Sequence, residues 1–296
     1  MLKLKSETAA HLTALATILI WGTTFISTKV LLREFSPIEI LFLRFALGFA
    51  VLCGLPGRLP YNSFRQEMLF AAAGLCGVTL YFLFENIALQ YTLASNVGIL
   101  VTISPFFTAL LSCFLLKNEH LTGRFFLGFV TALFGIVLIS YNGSVALQLN
   151  PLGDILAILA AATWSVYSIL MKRIGQLGKP MALCTRRTFF YGLLFMLPAL
   201  GWFGFAPSWE KFLEPVNAFN LLFLGFGASA ICFATWNWAV KILGAIKTSV
   251  YIYLVPAVTV TASVLLLHEP LTYPALGGIA LILLGLILSE RKSGAS

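Results

Sequence analysis

Ten long apolar runs, each bounded by charged residues, glycine or proline, constrain what this chain can fold into more than any other feature. They cover residues 9–32, 38–56, 68–90, 94–116, 124–141, 153–172, 182–203, 219–240, 246–267 and 273–289. A helix of about 20 apolar residues spans a bilayer, and it pairs its own backbone groups within lipid. The runs are too long and too apolar for the strands of a membrane barrel. The sequence therefore predicts an all-α integral membrane protein with ten transmembrane helices.

The low content of charged residues leaves little room for any other fold. Only 10% of the 296 residues are charged and 59% are hydrophobic, whereas a soluble domain carries about 25% charged residues. Asp154 is the only aspartate, which argues against an aspartate-rich diphosphate site. The five cysteines form no CxxC pair and lie in apolar runs, so we expect no disulfide, no metal site and no cofactor.

The positions of lysine and arginine orient the predicted helices. With a cytoplasmic N-terminus, thirteen of the 19 Lys and Arg residues lie on the inner side, three on the outer side and three within runs. Inner loops of membrane proteins are enriched in these residues, so both termini are expected in the cytoplasm. This topology explains the net charge of +8 without a nucleic-acid partner. We expect a monomer in a bacterial-type inner membrane, with lipid and a small-molecule substrate as its partners.

The two halves of the chain, residues 1–145 and 146–296, resemble one another. The matching pairs are Trp21 with Trp164, Lys29 with Lys172, Pro37 with Pro180, Arg44 with Arg187, Asn86 with Asn237, Pro105 with Pro256, Gly128 with Gly278 and Gly135 with Gly285. The spacing within pairs grows from 143 to 151 residues across an insertion before the eighth run. Each half holds five runs, an odd number, so the halves enter the membrane from opposite sides. Such inverted repeats are typical of carriers that alternate between two open states around a midplane site.

Several of the repeated elements belong to a known pattern. They are Trp21-Gly22 followed by Lys29, Arg44 in the second run, the stretch from Ala94 to Pro105, and Glu119-His120-Leu121-Thr122, which is echoed by Glu269-Pro270-Leu271-Thr272. With them the whole chain resembles the ten-helix, two-repeat (EamA-type) branch of the drug/metabolite transporter superfamily, and most of all its aromatic amino-acid exporters. The resemblance implies outward transport of metabolites, amino acids or drugs. The chain departs from the pattern where Ser165 replaces Gly22 in the second half, which makes the two gates unequal.

Aromatic residues in the middle of runs are the first candidates for substrate contact. Trp21 and Trp164 would form matched walls of a central cavity, because an indole offers a broad apolar face and one N–H donor. Tyr81, Tyr251 and Tyr253 are further candidates for this lining. Packing against lipid or protein is the alternative for each. We expect the first, third, fourth, sixth, eighth and ninth runs to surround the cavity.

Polar and helix-breaking residues in the runs supply the remaining candidates. Asn86 and Asn237 would contact substrate or join helices, and Pro105 and Pro256 would act as hinges or gates, or as static kinks. Four cations toward helix ends are expected to be structural charges that reach the interface or backbone carbonyls, with substrate contact as the alternative. These are Lys29, Arg44, Lys172 and Arg187.

The placement of acidic residues bears on energy coupling. Glu85 lies near the predicted outer end of the third run, and no carboxylate or histidine is clearly at mid-depth, where a proton relay is expected. This favours facilitated diffusion. Efflux of flat cationic or drug-like compounds is the alternative within transport, although no buried glutamate is evident to hold a cation. An intramembrane enzyme is a further alternative, but the sequence holds neither HExxH nor GxSxG.

Overall fold

The computed structural model describes residues 2–91, 94–115, 122–140, 150–206, 209–267 and 273–290, and all regular secondary structure within these ranges is helical. The first half comprises α1 (Leu2–Leu31), α2 (Pro37–Cys53), α3 (Phe64–Tyr91), α4 (Ala94–Val101), α5 (Ser104–Leu115) and α6 (Gly123–Ser140). The second half comprises α7 (Pro151–Gly175), α8 (Met181–Phe203), the short α9 (Trp209–Leu213), α10 (Pro215–Leu243), α11 and α12 (Tyr273–Glu290). Helix α11 consists of Ala245–Ser249, a 3-10 turn at Val250–Tyr253, and Leu254–Leu267.

The predicted runs coincide with these helices, with three differences. Helix α1 begins well before residue 9, the fourth run is broken at residues 102–103, and α9 occupies the predicted insertion before the eighth run. By length and composition, Ser6–Leu31, Phe64–Tyr91, Pro151–Gly175 and Pro215–Leu243 are long and apolar enough to cross a membrane. Four shorter helices are also apolar, namely Ser104–Leu115, Gly123–Leu138, Ala245–Thr259 and Leu276–Ser289.

Local sequence signals set several helix ends. Helix α2 begins with a capping box, in which Ser36 accepts from the backbone of Glu39 and the Glu39 carboxylate accepts from the backbone of Ser36. Helix α7 begins with Asn150 as its cap and Pro151 at its first position, where a missing N–H costs nothing. Gly244, with φ of 98°, makes the sharp turn between α10 and α11.

The two halves pack closely at Gly74 and Gly225, which match each other in the repeat at a spacing of 151 residues. A Cβ atom on Gly74 of α3 would lie 2.6 Å from the backbone nitrogen of Gly192 on α8, and one on Gly225 of α10 would lie 2.6 Å from Cβ of Leu47 on α2. Helices α3 and α10 each contain a π-helical segment at this crossing, Leu75–Leu80 and Phe223–Ile231. At each of these two crossings, a glycine beside a π-helical segment of one half meets a helix of the other half.

Helices α6 and α12, the last of each half, pack closely against each other through small residues. A Cβ atom on Gly285 would lie 2.6 Å from the carbonyl oxygen of Gly128, and one on Gly135 would lie 2.6 Å from that of Gly278. The outer surface of the bundle is apolar, with Phe114 83% exposed and Leu265 and Phe134 also largely exposed. An exposed surface of this kind requires an apolar solvent such as lipid.

Candidate functional site

A cavity lies between the two halves. It is lined by α1, α2, α3, α4 and residue 102 from the first half, and by α7 and α11 from the second. The cavity encloses about 550 Å³ not occupied by protein atoms, part of it open to solvent. The expected helices surround it with two differences, because α10 of the eighth run does not line it whereas α2 does.

The structure brings Trp21 and Trp164 together at this cavity. Their rings meet edge to face with centroids 5.3 Å apart, and the Tyr81 ring lies 4.9 Å from that of Trp164. Trp21 donates its indole N–H to the carbonyl oxygen of Ala228 on α10, at 2.9 Å. The indole N–H of Trp164 is buried and has no hydrogen-bond partner among the described residues. Three of the five predicted aromatic residues therefore line one cavity, and a donor there remains open.

Two opposite charges also line the cavity. Arg44 is 3% exposed, donates from Nε to the hydroxyl of Ser229 at 3.1 Å, and places its guanidinium 4.5 Å from the centre of the Phe82 ring. Glu85 is 7% exposed, and within the described ranges its buried Oε2 has no hydrogen-bond partner. Buried charges in membrane helices usually mark functional sites.

Two of these positions bear on the expectations from the sequence. Arg44 lies at the cavity rather than at an interface, and Glu85, which was expected near the outer end of its run, lines the cavity. Glu85 is six residues before the end of α3, a depth of about 9 Å. Tyr81 and Glu85 are four residues apart and share a helix face. A sequence reading that follows the Tyr81 face along α3 would therefore have found Glu85.

The two asparagines lie outside the cavity lining. Asn237 accepts from the hydroxyl of Tyr167 at 2.8 Å and donates to the hydroxyl of Thr185 at 2.9 Å. Asn86 donates to the carbonyl oxygen of Pro37 at 3.2 Å, while its own buried Oδ1 has no hydrogen-bond partner among the residues that the structure describes. Both side chains join helices, which is the second of the two roles considered for them.

Tyr251 and Tyr253 flank the lining residue Ile252 but are not themselves part of the lining. The Tyr251 hydroxyl forms a hydrogen bond with Nδ1 of His11 on α1, at 2.7 Å. Tyr253 is fully buried, and no described residue forms a hydrogen bond with its hydroxyl.

Both predicted hinge prolines follow a break in regular helix. Pro105 is the second residue of α5, just after the turn at 102–103, and Pro256 comes shortly after the 3-10 turn Val250–Tyr253. In the first turn of a helix the missing N–H of proline costs little. Thr102 and Ile252 from these two irregular segments line the cavity, so both breaks border the site.

The other three predicted structural charges lie away from the cavity. Lys29 is exposed, and Lys172 donates to the carbonyl oxygen of Lys241 at 3.3 Å. Arg187 forms an ion pair with Glu67 at 3.3 Å and donates to the carbonyl oxygen of Leu59 at 3.0 Å. Within the described ranges, no group of three or more His, Cys, Asp or Glu residues could hold a metal ion.

Comparison with known proteins decides the family. A model of the EamA-like transporter family matches the chain twice, at residues 8–141 and 151–291. The chain belongs to the EamA-like transporter family. It is a multi-pass membrane protein of the drug/metabolite transporter superfamily, and the family pattern occurs once in each half.

Relatives in this family cover nearly the whole chain. An uncharacterized transporter of Archaeoglobus fulgidus is 32% identical over 288 residues, which are 95% of this chain and 97% of the relative. A probable amino-acid metabolite efflux pump of Escherichia coli K12 is 26% identical and covers 93% of both chains. A solved crystal structure has the same fold with a TM-score of 0.74 at 22% identity, covering 95% of this chain and 97% of that chain.

Proposed function

We propose that this transporter exports amino acids with aromatic or other apolar side chains, by alternating access around the central cavity. The observation that carries the proposal is the cavity between the halves, walled by Trp21, Trp164 and Tyr81. Flat aromatic faces suit an aromatic side chain, which stacks on them or meets them edge to face. The relation to a probable amino-acid metabolite efflux pump supports the same substrate class.

We place the chain in a bacterial-type inner membrane with ten crossings and both termini in the cytoplasm. In this topology α4 and α5 together make one crossing, and the five-residue α9 makes none. Residues 1–145 and 146–296 are then the two inverted repeats. The lysine and arginine distribution supports this orientation. We expect a monomer without a cofactor, since one chain supplies all the residues named at the cavity.

Contacts at two ends of the bundle join the halves and suit the proposed gates. At the proposed cytoplasmic end, Arg186 donates to the carbonyl oxygens of Leu55 and Gly57, beside the Arg187–Glu67 ion pair. At the opposite end, Lys211 donates to the carbonyl oxygen of Glu34 at 2.7 Å. Both sets of contacts are formed in this structure. Opening one set at a time exposes the cavity to one side.

Uptake of labelled phenylalanine, tryptophan and leucine into proteoliposomes tests the proposal. We expect saturable uptake, absent from protein-free liposomes and reduced at least about tenfold by Trp21→Ala, which removes one wall of the cavity. Trp202→Ala is the matched control because Trp202 is exposed on the outside of the bundle. Folded protein that transports no amino acid would contradict the proposal, and normal transport by Trp21→Ala would remove Trp21 from the site.

The same assay addresses coupling and the alternative substrate class. In our proposal the substrate gradient alone drives transport, so uptake proceeds without an imposed pH gradient. Glu85 supplies the interior carboxylate that a proton-coupled carrier needs. Uptake that requires a pH gradient would therefore show that transport is coupled to protons and is not facilitated diffusion. Glu85 also favours efflux of flat cationic compounds as the second candidate function. Saturable uptake of a flat cationic dye, with none of amino acids, would select it.

A further inference from the structure

Arg44 and Glu85 face one cavity without neutralising each other by direct contact. Both residues lie in the described part of the chain, and they are electrostatic neighbours, yet they do not form an ion pair. A buried charge is costly unless hydrogen bonds or an opposite charge compensate it. A direct ion pair would lower that cost. The separation of the two groups therefore leaves each with unused capacity to bind a ligand.

The contacts of Arg44 leave part of its guanidinium open. Nε donates a hydrogen bond to the hydroxyl of Ser229, and the planar face of the guanidinium lies against Phe82. These two contacts fix the side chain, while its terminal amino groups form no hydrogen bond with described residues. A guanidinium held in this way presents its edge, which matches a carboxylate.

Glu85 has an open position of its own. Tyr81, one turn earlier on α3, lines the same cavity, and Oε2 of Glu85 is buried with no hydrogen-bond partner among the described residues. An unpaired buried carboxylate oxygen is costly to leave unsatisfied, and a ligand ammonium group would satisfy it. The aromatic walls of Trp21 and Trp164 adjoin the same space.

We infer that Arg44 and Glu85 are the specificity-determining pair of this site, with Arg44 binding the α-carboxylate of the substrate and Glu85 binding its α-ammonium group. The inference rests on the proposed function and narrows it. The substrate class is the zwitterionic α-amino acids, whose two adjacent opposite charges pair with both protein groups at once. An amine or a carboxylic acid with the same side chain pairs with one protein group and leaves the other charge buried and unpaired. The site rejects both on that ground.

Three ligands that share one aromatic ring test this in the unaltered protein. Phenylalanine carries both charges, 2-phenylethylamine lacks the carboxylate and 3-phenylpropionate lacks the ammonium group. Binding to the purified protein, followed by its tryptophan fluorescence, is expected to be at least about tenfold tighter for phenylalanine than for either truncated ligand. Equal binding of all three would overturn the inference even where no variant folds.

Two neutral variants then assign each charge to its partner. With Glu85→Gln, phenylalanine binding weakens at least about tenfold and the preference over 3-phenylpropionate shrinks, while the preference over 2-phenylethylamine persists. With Arg44→Gln, the preference over 2-phenylethylamine shrinks instead. Glu210→Gln and Arg33→Gln are the matched controls, since both residues are exposed and away from the cavity. Both controls are expected to retain the affinities of the unaltered protein.

The outcomes separate this inference from the function on which it rests. If the unaltered protein neither binds nor transports any amino acid, the proposed function fails and the inference fails with it. If phenylalanine is transported but neither variant changes its preferences, the function stands and the inference is overturned. The crossed pattern of lost preferences, one for each variant, supports it.

Discussion

Trp21 and Trp164 occupy matched positions in the two repeats, yet their indole N–H groups have different surroundings. The indole N–H of Trp21 donates to the carbonyl oxygen of Ala228, whereas the indole N–H of Trp164 has no partner among the described residues. A similar asymmetry affects the residues that follow them. A Cβ atom on Gly22 would lie 2.5 Å from Val258, while the hydroxyl of Ser165 donates to the carbonyl oxygen of Ser104 at 2.9 Å. The departure from exact repetition thus follows from helix packing.

Replacing each tryptophan with phenylalanine is expected to show which indole N–H group stabilises the fold and which one binds the ligand. Trp21→Phe breaks the bond to α10 and should lower stability by about 1 kcal/mol, seen as a lower thermal midpoint in detergent. Trp164→Phe removes a donor that has no partner, so the midpoint should stay within error or rise. The same Trp164→Phe variant should bind phenylalanine several-fold more weakly. A large stability loss in Trp164→Phe, with unchanged binding, would contradict this assignment.

At the scale of one helix, α5 carries a buried polar face whose purpose is not structural in this conformation. Ser104, Thr108 and Ser112 are spaced by one turn and are all fully buried, and none of their hydroxyl groups has a hydrogen-bond partner in the described part of the chain. A buried hydroxyl group without a hydrogen bond costs free energy. The presence of this polar face is explained if water reaches it when the cavity opens to one side.

Thr108→Val is the isosteric test of that face. Because the lost hydroxyl has no partner here, we expect the thermal midpoint to be unchanged or higher, while phenylalanine transport slows several-fold. Thr131→Val on α6 is the matched control, since the Thr131 hydroxyl bonds to the carbonyl oxygen of Leu127 in its own helix and is exposed. Transport at the normal rate by Thr108→Val would show that water does not reach the polar face of α5 at any point in the transport cycle.

Helices α6 and α12 offer a second test at this scale. Their backbones approach at Gly128 and Gly285, so a side chain at either position must separate the helices. Gly285→Leu is expected to destabilise the protein by about 2 kcal/mol or more, whereas Gly98→Leu meets nothing within 4 Å of its Cβ atom in this conformation. Thermal unfolding of the two variants in detergent measures the difference. Similar midpoints would mean that α6 and α12 separate without cost.

The elements differ in how far the sequence could predict them. Apolar runs mark helices because lipid leaves the backbone no other way to satisfy its hydrogen bonds, so the helices and their approximate ends were predictable. The π-helical segments in α3 and α10 were not, because they arise where a helix of the other half approaches Gly74 and Gly225. The sequence could predict that Trp21 and Trp164 line the cavity. It could not predict that Arg44 does, because charge alone does not tell which face of α2 points inward.

At the scale of the whole molecule, the two halves are held together at both ends of the cavity by contacts of unequal strength. The proposed cytoplasmic end combines the Arg187–Glu67 ion pair with hydrogen bonds from Arg186 to the loop between α2 and α3. The hydroxyl of Tyr191 also donates to Glu67, at 2.6 Å. The opposite end has the Lys211 contact and a hydrogen bond from the backbone of Ala206 to Glu39. Weakening one end should favour the state that is open on that side.

Thiol labelling from the two membrane faces tests this balance. The Thr24→Cys change, in a chain without its native cysteines, places a reactive thiol on the cavity wall. Adding Arg187→Ala should increase its labelling by a membrane-impermeant maleimide from the cytoplasmic face about threefold, because a partly exposed ion pair contributes no more than about 1 kcal/mol. Adding Lys211→Ala should increase labelling from the opposite face instead. Lys29→Ala, at an exposed lysine, is the control and should change neither. Equal increases from both faces in either variant would mean that these contacts hold the fold together rather than gate it.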